Sequence, residues 1–302
     1  MRQYRKGTNF EQWVATAFLT TLLVDGSVPG IPENRISEIA FQTTNRGYET
    51  DDLLVVAQSD RATHRLLIQC KITQSLALKN EKFQEVIKAF WVDYNSPQRF
   101  DKDNDSLLII KEHITADEHN HVKVLFDWAR AHNTYEDFIL EVERVQVKSK
   151  RLDLFREVVK KANSDKDVSD EQIWSFLRCL DLLEYDFLHE TSVDRTHFLN
   201  LVHLSKNRVT NESETGILSS IYDYASSLDM NGGSVTKESI RQHELFLFFD
   251  PSRVAPHFED LKKLEEDSRT ILGHIEDTIG GIHIDRSTVR DTIVEAVGES
   301  QL

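Results

Sequence analysis

The chain has 302 residues, enough for two domains of ordinary size at roughly 100–200 residues each, and 39% of them are hydrophobic and 29% charged. That balance excludes a disordered tail, a collagen and a disulfide mini-protein, and no window approaches the ~18 consecutive apolar residues of a membrane helix. The net charge of -15 argues against a constitutive nucleic-acid binder, but it is unevenly spread. The first hundred residues hold 12 basic and 11 acidic side chains, the remainder 24 and 40, so the first part is neutral and has room for a local basic groove. The basic start Met1–Lys6 is not followed by an unbroken apolar stretch, because Glu11, Gln12 and three threonines interrupt it, and no signal peptide is read. Cys70 and Cys179 form no framework; they are expected to be reduced thiols in the cytoplasm.

In chain order, Thr8-Asn9-Phe10-Glu11 fits a capping box, followed by Phe10, Trp13, Val14, Ala17 and Phe18 at helical spacing to about Asp25-Gly26. A loop is expected over 27–34. Strands are expected over 36–42, 53–58 and 65–70. The last two carry near-continuous apolar runs, as in strands covered on both faces, and a polar turn over 59–64 joins them. A helix over 82–94 places Phe83, Val86, Ile87, Phe90 and Trp91 on one face. Then come a strand over 107–110, a helix over 122–132 and a fifth strand over 138–145. This order, α-β-β-β-α-β-α-β, makes residues 1–150 an α/β domain. Residues 151–255 read as a helical domain, with one helix over 170–183 and others over 195–204 and 216–228. The acidic stretch 256–302 reads as a helical linker or assembly segment broken at Gly280-Gly281.

One constellation carries chemistry: Asp51-Asp52 at the start of one strand and Gln69-Cys70-Lys71 at the end of the next. Aligning the apolar runs 53–57 and 66–70 as an antiparallel hairpin puts Asp52 opposite Lys71 and Leu54 opposite Gln69. Alternation then places Gln69 and Lys71 on one face and the Cys70 side chain on the other. A carboxylate, an amide and an ammonium meeting at one hairpin end suit metal-assisted phosphodiester hydrolysis. Asp52 can hold Mg²⁺ (or Mn²⁺), with Asp51 and the backbone carbonyl of Cys70 as further oxygens. Lys71 can orient a water or stabilise transition-state charge. Glu11 is either the capping-box partner or a further metal ligand. Cys70 itself reads as a core thiol, Gln84 and Lys88 as surface, and the twelve histidines show no zinc spacing.

Asp52, the 16 residues that follow it, and Gln69-x-Lys71 after an apolar strand resemble the PD-(D/E)xK nuclease pattern, in the Gln-x-Lys form of its Mrr-like branch. The resemblance covers about residues 8–145 and implies a restriction-endonuclease-like αβββαβ core with a mostly helical C-terminal extension. It implies Asp52, Gln69 and Lys71 as catalytic residues and double-stranded DNA as substrate. The layout Phe10-Glu11-x-x-Val14, Asp51-Asp52-Leu53-Leu54 and Ile68-Gln69-Cys70-Lys71 is also similar to the nuclease effector module of bacterial antiphage STAND ATPases. In that likeness, Ile271-Leu272-Gly273-His274-Ile275 through Ile284-Asp285-Arg286 is the linker toward an ATPase and sensor region in the same or a partner chain. No P-loop motif occurs in the 302 residues. The expectation is a cytoplasmic Mg²⁺-dependent endonuclease of antiphage defence, with no membrane partner, activated by homo-oligomerisation or a sensor partner. The alternative is a catalytically inactive nuclease-fold scaffold for protein–protein assembly.

Overall fold

A computed structural model describes residues 2–28, 31–59, 62–71, 75–187, 189, 191–250, 278–279 and 282–283. Met1–Ala255 form one compact unit and Pro256–Leu302 a second. The first unit opens with helix α1 (Arg2–Leu23) and the strands β1 (Ser27–Val28), β2 (Ile31–Phe41), β3 (Leu53–Gln58) and β4 (Thr63–Lys71). Helix α2 (Glu81–Tyr94) leads to β5 (Ser106–Lys111). Four helices follow, α3 (Val124–Ala131), α4 (Tyr135–Glu143), α5 (Gln146–Ala162) and α6 (Asp170–Cys179), and then strand β6 (Leu180–Glu184). The unit ends with α7 (Val193–Ser205), α8 (Glu214–Asn231), β7 (Ser234–Thr236) and α9 (Lys237–Arg241).

The strands make one mixed sheet in the order β1-β2-β3-β4-β5-β6, with β7 also paired to β2. Pairing is antiparallel from β1 to β4 and for β7 on β2, and parallel from β4 through β5 to β6. Alternation divides the strand side chains between two helical layers. Leu53, Val55, Leu66, Ile68 and Cys70 pack with α1, α7, α8 and α9. Leu54, Leu67, Leu107, Ile109 and Leu182 pack with α2 through α6. Both faces are covered, which is why β3 to β6 read as apolar runs instead of alternating ones. In the second layer Phe155 meets Phe83 and Phe126 edge-on, at ring-centroid distances of 6.0 and 5.4 Å. Each such fully buried ring removes apolar area worth roughly 1.5–3 kcal/mol.

Several sequence expectations are corrected here. Helix α1 starts at Arg2, so Thr8 and Glu11 lie inside it and no capping box holds Glu11. The three threonines fit its interior because the hydroxyls of Thr16, Thr20 and Thr21 donate to the carbonyls of Gln12, Thr16 and Ala17, one turn back. The stretch expected as a loop over 27–34 instead contributes β1 and the start of β2. The expected strand over 138–145 is helix α4: Thr134 caps it by accepting from Asp137 N–H at 3.2 Å, Phe138 and Val142 are buried one turn apart, and Leu140 is 57% exposed. The expected helix over 170–183 ends at Cys179, and Leu180–Glu184 extends as β6 beside β5. The sheet therefore takes its last parallel strand from beyond residue 150, and α5 and α6 pack against α2 and α3, so residue 150 falls inside one compact unit.

In the second unit, Thr278–Ile279 (β8) and Ile282–His283 (β9) pair antiparallel; the break expected at residues 280–281 lies outside the described residues. The rest of the anticipated linker, including 271–275 and 284–286, lies outside the described residues. Among the described residues no helix is long and apolar enough to cross a membrane.

Candidate functional site

The pairing of β3 with β4 sets the site. Leu53 faces Ile68 and Leu54 faces Leu67, two residues out of the expected register, which continues to Asp52 beside Gln69 instead of Lys71. A two-residue slip preserves the facing of every side chain, so the expected residues still converge at this end of the hairpin. Asp52 Oδ2 accepts the backbone N–H of Cys70 at 2.5 Å and lies 3.6 Å from Lys71 Nζ. Gln69, 4% exposed, donates its Nε2 to Asp51 Oδ1 at 2.5 Å. Helix α1 packs over β4 and presents Glu11 to the same place, where Asp52, Lys71 and Asp51 all act on its charge.

The turn that delivers Asp51 and Asp52 is held from several sides. Thr43 N–H donates to Asp51 O at 3.1 Å, and the Thr43 hydroxyl donates to Thr50 O. Gly47 adopts φ 85°, a left-handed conformation that favours glycine, and its carbonyl accepts from Arg99 Nη1. Asp93, on α2, accepts from Glu49 N–H, Thr50 N–H and the Thr50 hydroxyl at 2.9, 2.8 and 2.7 Å.

The electrostatics are those of a carboxylate cluster with too little positive charge. Burial, and after it the negative charge of Asp52, pushes Glu11 up to about 8. Burial also pushes Asp52 up to about 6, against the pull of Lys71. Lys71 is raised: burial opposes its charge, but Asp52, Glu11 and Asp51 together outweigh burial. At neutral pH Lys71 is therefore an ammonium, able to stabilise negative charge and not to take a proton as a base. The Cys70 thiol is raised well above its ordinary value by burial and by Asp52 and Glu11, which makes it inert as a nucleophile.

A hard divalent cation fits this donor set. Two half-buried carboxylates that resist ionisation beside one ammonium are what a dication relieves, and Mg²⁺ takes oxygen ligands with one or two carboxylates. Asp51 is exposed and tied to Gln69, so it stands at the rim. Among the described residues, the one group with three ligand atoms mutually within 4.8 Å lies elsewhere, formed by Glu112, Asp186 and His189 beyond the ends of β5 and β6.

Two residues escaped the sequence reading. Asp229, in the last turn of α8, adds negative charge at Glu11 and Cys70 and accepts from Gln42 Nε2 at 2.7 Å. Asp93 is the other. Neither lies near the motif in sequence: Asp229 comes in through the packing of α8 on α1, where the Tyr222 hydroxyl bonds Gln12 Oε1 at 2.7 Å and Asn9 Oδ1 at 2.9 Å. The only local signal was the Gly232-Gly233 turn that ends α8.

No protein-family model matches the chain, and no curated protein sequence matches it. Solved structures do. An Acinetobacter baumannii Cap4 SAVED/CARF-domain containing receptor with the cyclic trinucleotide 3'3'3'-cAAA is 11% identical, with a TM-score of 0.45 over 78% of this chain and 43% of that one. The same organism's Cap4 receptor with 2'3'3'-cAAA is 12% identical, with a TM-score of 0.45 over 87% and 46%. A Moraxella osloensis Cap4 SAVED/CARF-domain containing receptor is 13% identical, with a TM-score of 0.42 over 77% and 45%. The chain thus spans less than half the length of each, and a likeness of this degree says nothing of its chemistry.

Proposed function

We propose that this chain is a divalent-metal-dependent DNA endonuclease built on a restriction-endonuclease-like core. The observation that carries the reading is the convergence of Asp52, at the start of β3, with Lys71 and the Cys70 backbone at the end of β4, beside Glu11 of α1. It occurs in the run α1-β1-β2-β3-β4-α2-β5, which is the α-β-β-β-α-β order with the two-residue β1 added ahead of β2. Glu11, Asp52 and the Cys70 carbonyl would hold Mg²⁺ or Mn²⁺. The ion would supply charge neutralisation at the phosphate and a bound water of lowered pKa. Lys71, kept protonated by its carboxylates, orients the attacking water and stabilises the charge that grows on the phosphoryl oxygens. Gln69 fixes Asp51 and through it the edge of the site.

The substrate is double-stranded DNA, and the charge of -15 makes a lone chain a weak binder. Activity therefore rises when homo-oligomers, or a STAND-type sensor and ATPase region in the same or a partner chain, align several sites on one duplex. That activating arrangement and a cytoplasmic role in antiphage defence rest on the likeness of residues 10–14, 51–54 and 68–71 to such effector modules.

The test is plasmid cleavage with Mg²⁺ or Mn²⁺ by the wild type, Asp52→Ala and Lys71→Ala, at low concentration and under enforced oligomerisation. Metal-dependent nicking that grows with oligomerisation and is lost in both variants is expected. A folded wild type that neither binds DNA nor cuts it in any state defeats the reading and leaves the inactive scaffold.

A further inference from the structure

Asp93 has no part in the constellation that the sequence shows, yet it is one of the most thoroughly committed carboxylates in the molecule. Its side chain is fully buried (0% exposed), on the face of α2 turned to the sheet. All three of its described partners are donors. Oδ1 takes Glu49 N–H, and Oδ2 takes both Thr50 N–H and the Thr50 hydroxyl. Thr50 is itself fully buried, and the next two residues are Asp51 and Asp52. A buried carboxylate bound only by donors of one turn is a clamp on that turn, since each bond lost would leave a polar group without water or partner. The clamp lies in the opposite layer from Glu11: α1 delivers Glu11 over one face of the sheet, and α2 fixes the chain leading to Asp52 from the other.

We infer that Asp93 is a positioning residue, which sets the place of Asp52 at the end of the β3–β4 hairpin by holding the Glu49–Thr50 turn. Its consequence for metal binding and cleavage rests on the nuclease reading above; its consequence for Asp52 does not. Asparagine is a sharp probe. It keeps the size of the side chain but replaces one oxygen with an NH₂ group, which must face either Glu49 N–H or the two Thr50 donors. Thr50→Val removes only the hydroxyl bond and is the gentler variant. Asp105 supplies the control: it is also buried, accepts Arg65 N–H at 2.9 Å and Asp101 N–H at 2.8 Å and pairs with the Arg65 guanidinium at 3.1 Å, just before β5 and with no hydrogen bond to Glu49 or Thr50.

The position of Asp52 is read on the Cys70 amide, whose proton Asp52 Oδ2 accepts. Hydrogen exchange at that amide is measured by NMR in the metal-free full chain, beside Mn²⁺ titration calorimetry, for wild type, Asp93→Asn, Thr50→Val and Asp105→Asn. In Asp93→Asn and Thr50→Val the Cys70 amide should exchange faster than the change in global stability accounts for. Mn²⁺ affinity should fall, by about 10- to 100-fold in Asp93→Asn, while Asp105→Asn changes neither. If Asp93→Asn does not fold, Thr50→Val decides the matter. Unchanged Cys70 exchange in the folded variants, or an equal change in Asp105→Asn, overturns the inference. Faster exchange with unchanged Mn²⁺ affinity overturns the link to the metal site. A wild type that binds no Mn²⁺ defeats the nuclease reading instead, and the Cys70 amide still decides whether Asp93 places Asp52.

Discussion

Glu11 is the residue whose role changed most between sequence and structure. At a helix start it would have been spent on backbone N–H groups; inside α1 it is free to face the hairpin end, at the cost of burial beside Asp52. Its folded-state value near 8, against an ordinary 4.5, has a direct consequence for stability. The folded chain holds this proton more tightly than the unfolded one, so Glu11 favours folding fully below about 4.5, and that contribution is lost as the pH rises through about 8. Asp52 acts in the same sense over a lower window, from its ordinary 3.8 to about 6. Without metal, the stability of Glu11→Gln relative to wild type should therefore climb between pH 5 and pH 8, read as the difference of two thermal melts at each pH. Excess Mn²⁺ should close the gap at pH 8, because only wild type keeps the carboxylate that binds it. A pH-independent gap would mean that Glu11 does not sit among the carboxylates.

The Asp52–Lys71 pair was legible because a hairpin of two apolar runs has few ways to pair. The register was misplaced by two residues because polar Thr63 and His64 already belong to β4, paired with Gln58 and Ala57, so the turn is two residues shorter than the polar stretch 59–64 suggests. Asp93 and Asp229 were not legible. Each reaches the site by packing of a helix, and nothing local in either segment records its distant partner.

At the scale of elements, period was the source of error. Phe138, Leu140 and Val142 satisfy a strand's alternation as well as any real strand in the chain, while Phe138 and Val142 alone satisfy a helix. The cap decides: Thr134 ahead of Asp137 is a helix start, and an exposed Leu140 costs little on its outer face. Thr134→Ala should lower unfolding free energy by about 1 kcal/mol, measured by urea denaturation, with little effect on the distant hairpin. The converse error hid β6. Its Leu180, Leu182 and Leu183 extend the apolar face of α6 without a break, and only the place beside β5 makes them a strand. A helix that runs directly into a strand has no glycine or proline to announce the change.

At the scale of the whole molecule, a fragment of residues 1–150 should not fold. It lacks β6, which covers the outer edge of β5, together with α6, α7 and α8, and it would expose the faces those helices bury. Thermal melts followed by circular dichroism should show a cooperative transition for residues 1–255 and none for 1–150. A cooperative shorter fragment would show that the first strands and helices form a core by themselves.

The sheet is also closed at both flanks by chain that is made late. Strand β7 covers β2 from residues 234–236, and β6 covers β5 from residues 180–184. Translation runs from one end, so β5 leaves the ribosome with its partner unmade. At roughly 5–20 residues per second, the 73 residues from the end of β5 to the end of β6 take about 4–15 s to synthesise. For that interval Leu107-Leu108-Ile109-Ile110 is an apolar strand with one edge unpaired, open to the same segment of a neighbouring nascent chain on a polysome. The yield of soluble protein should then depend on how fast this stretch is translated and on what shields it meanwhile.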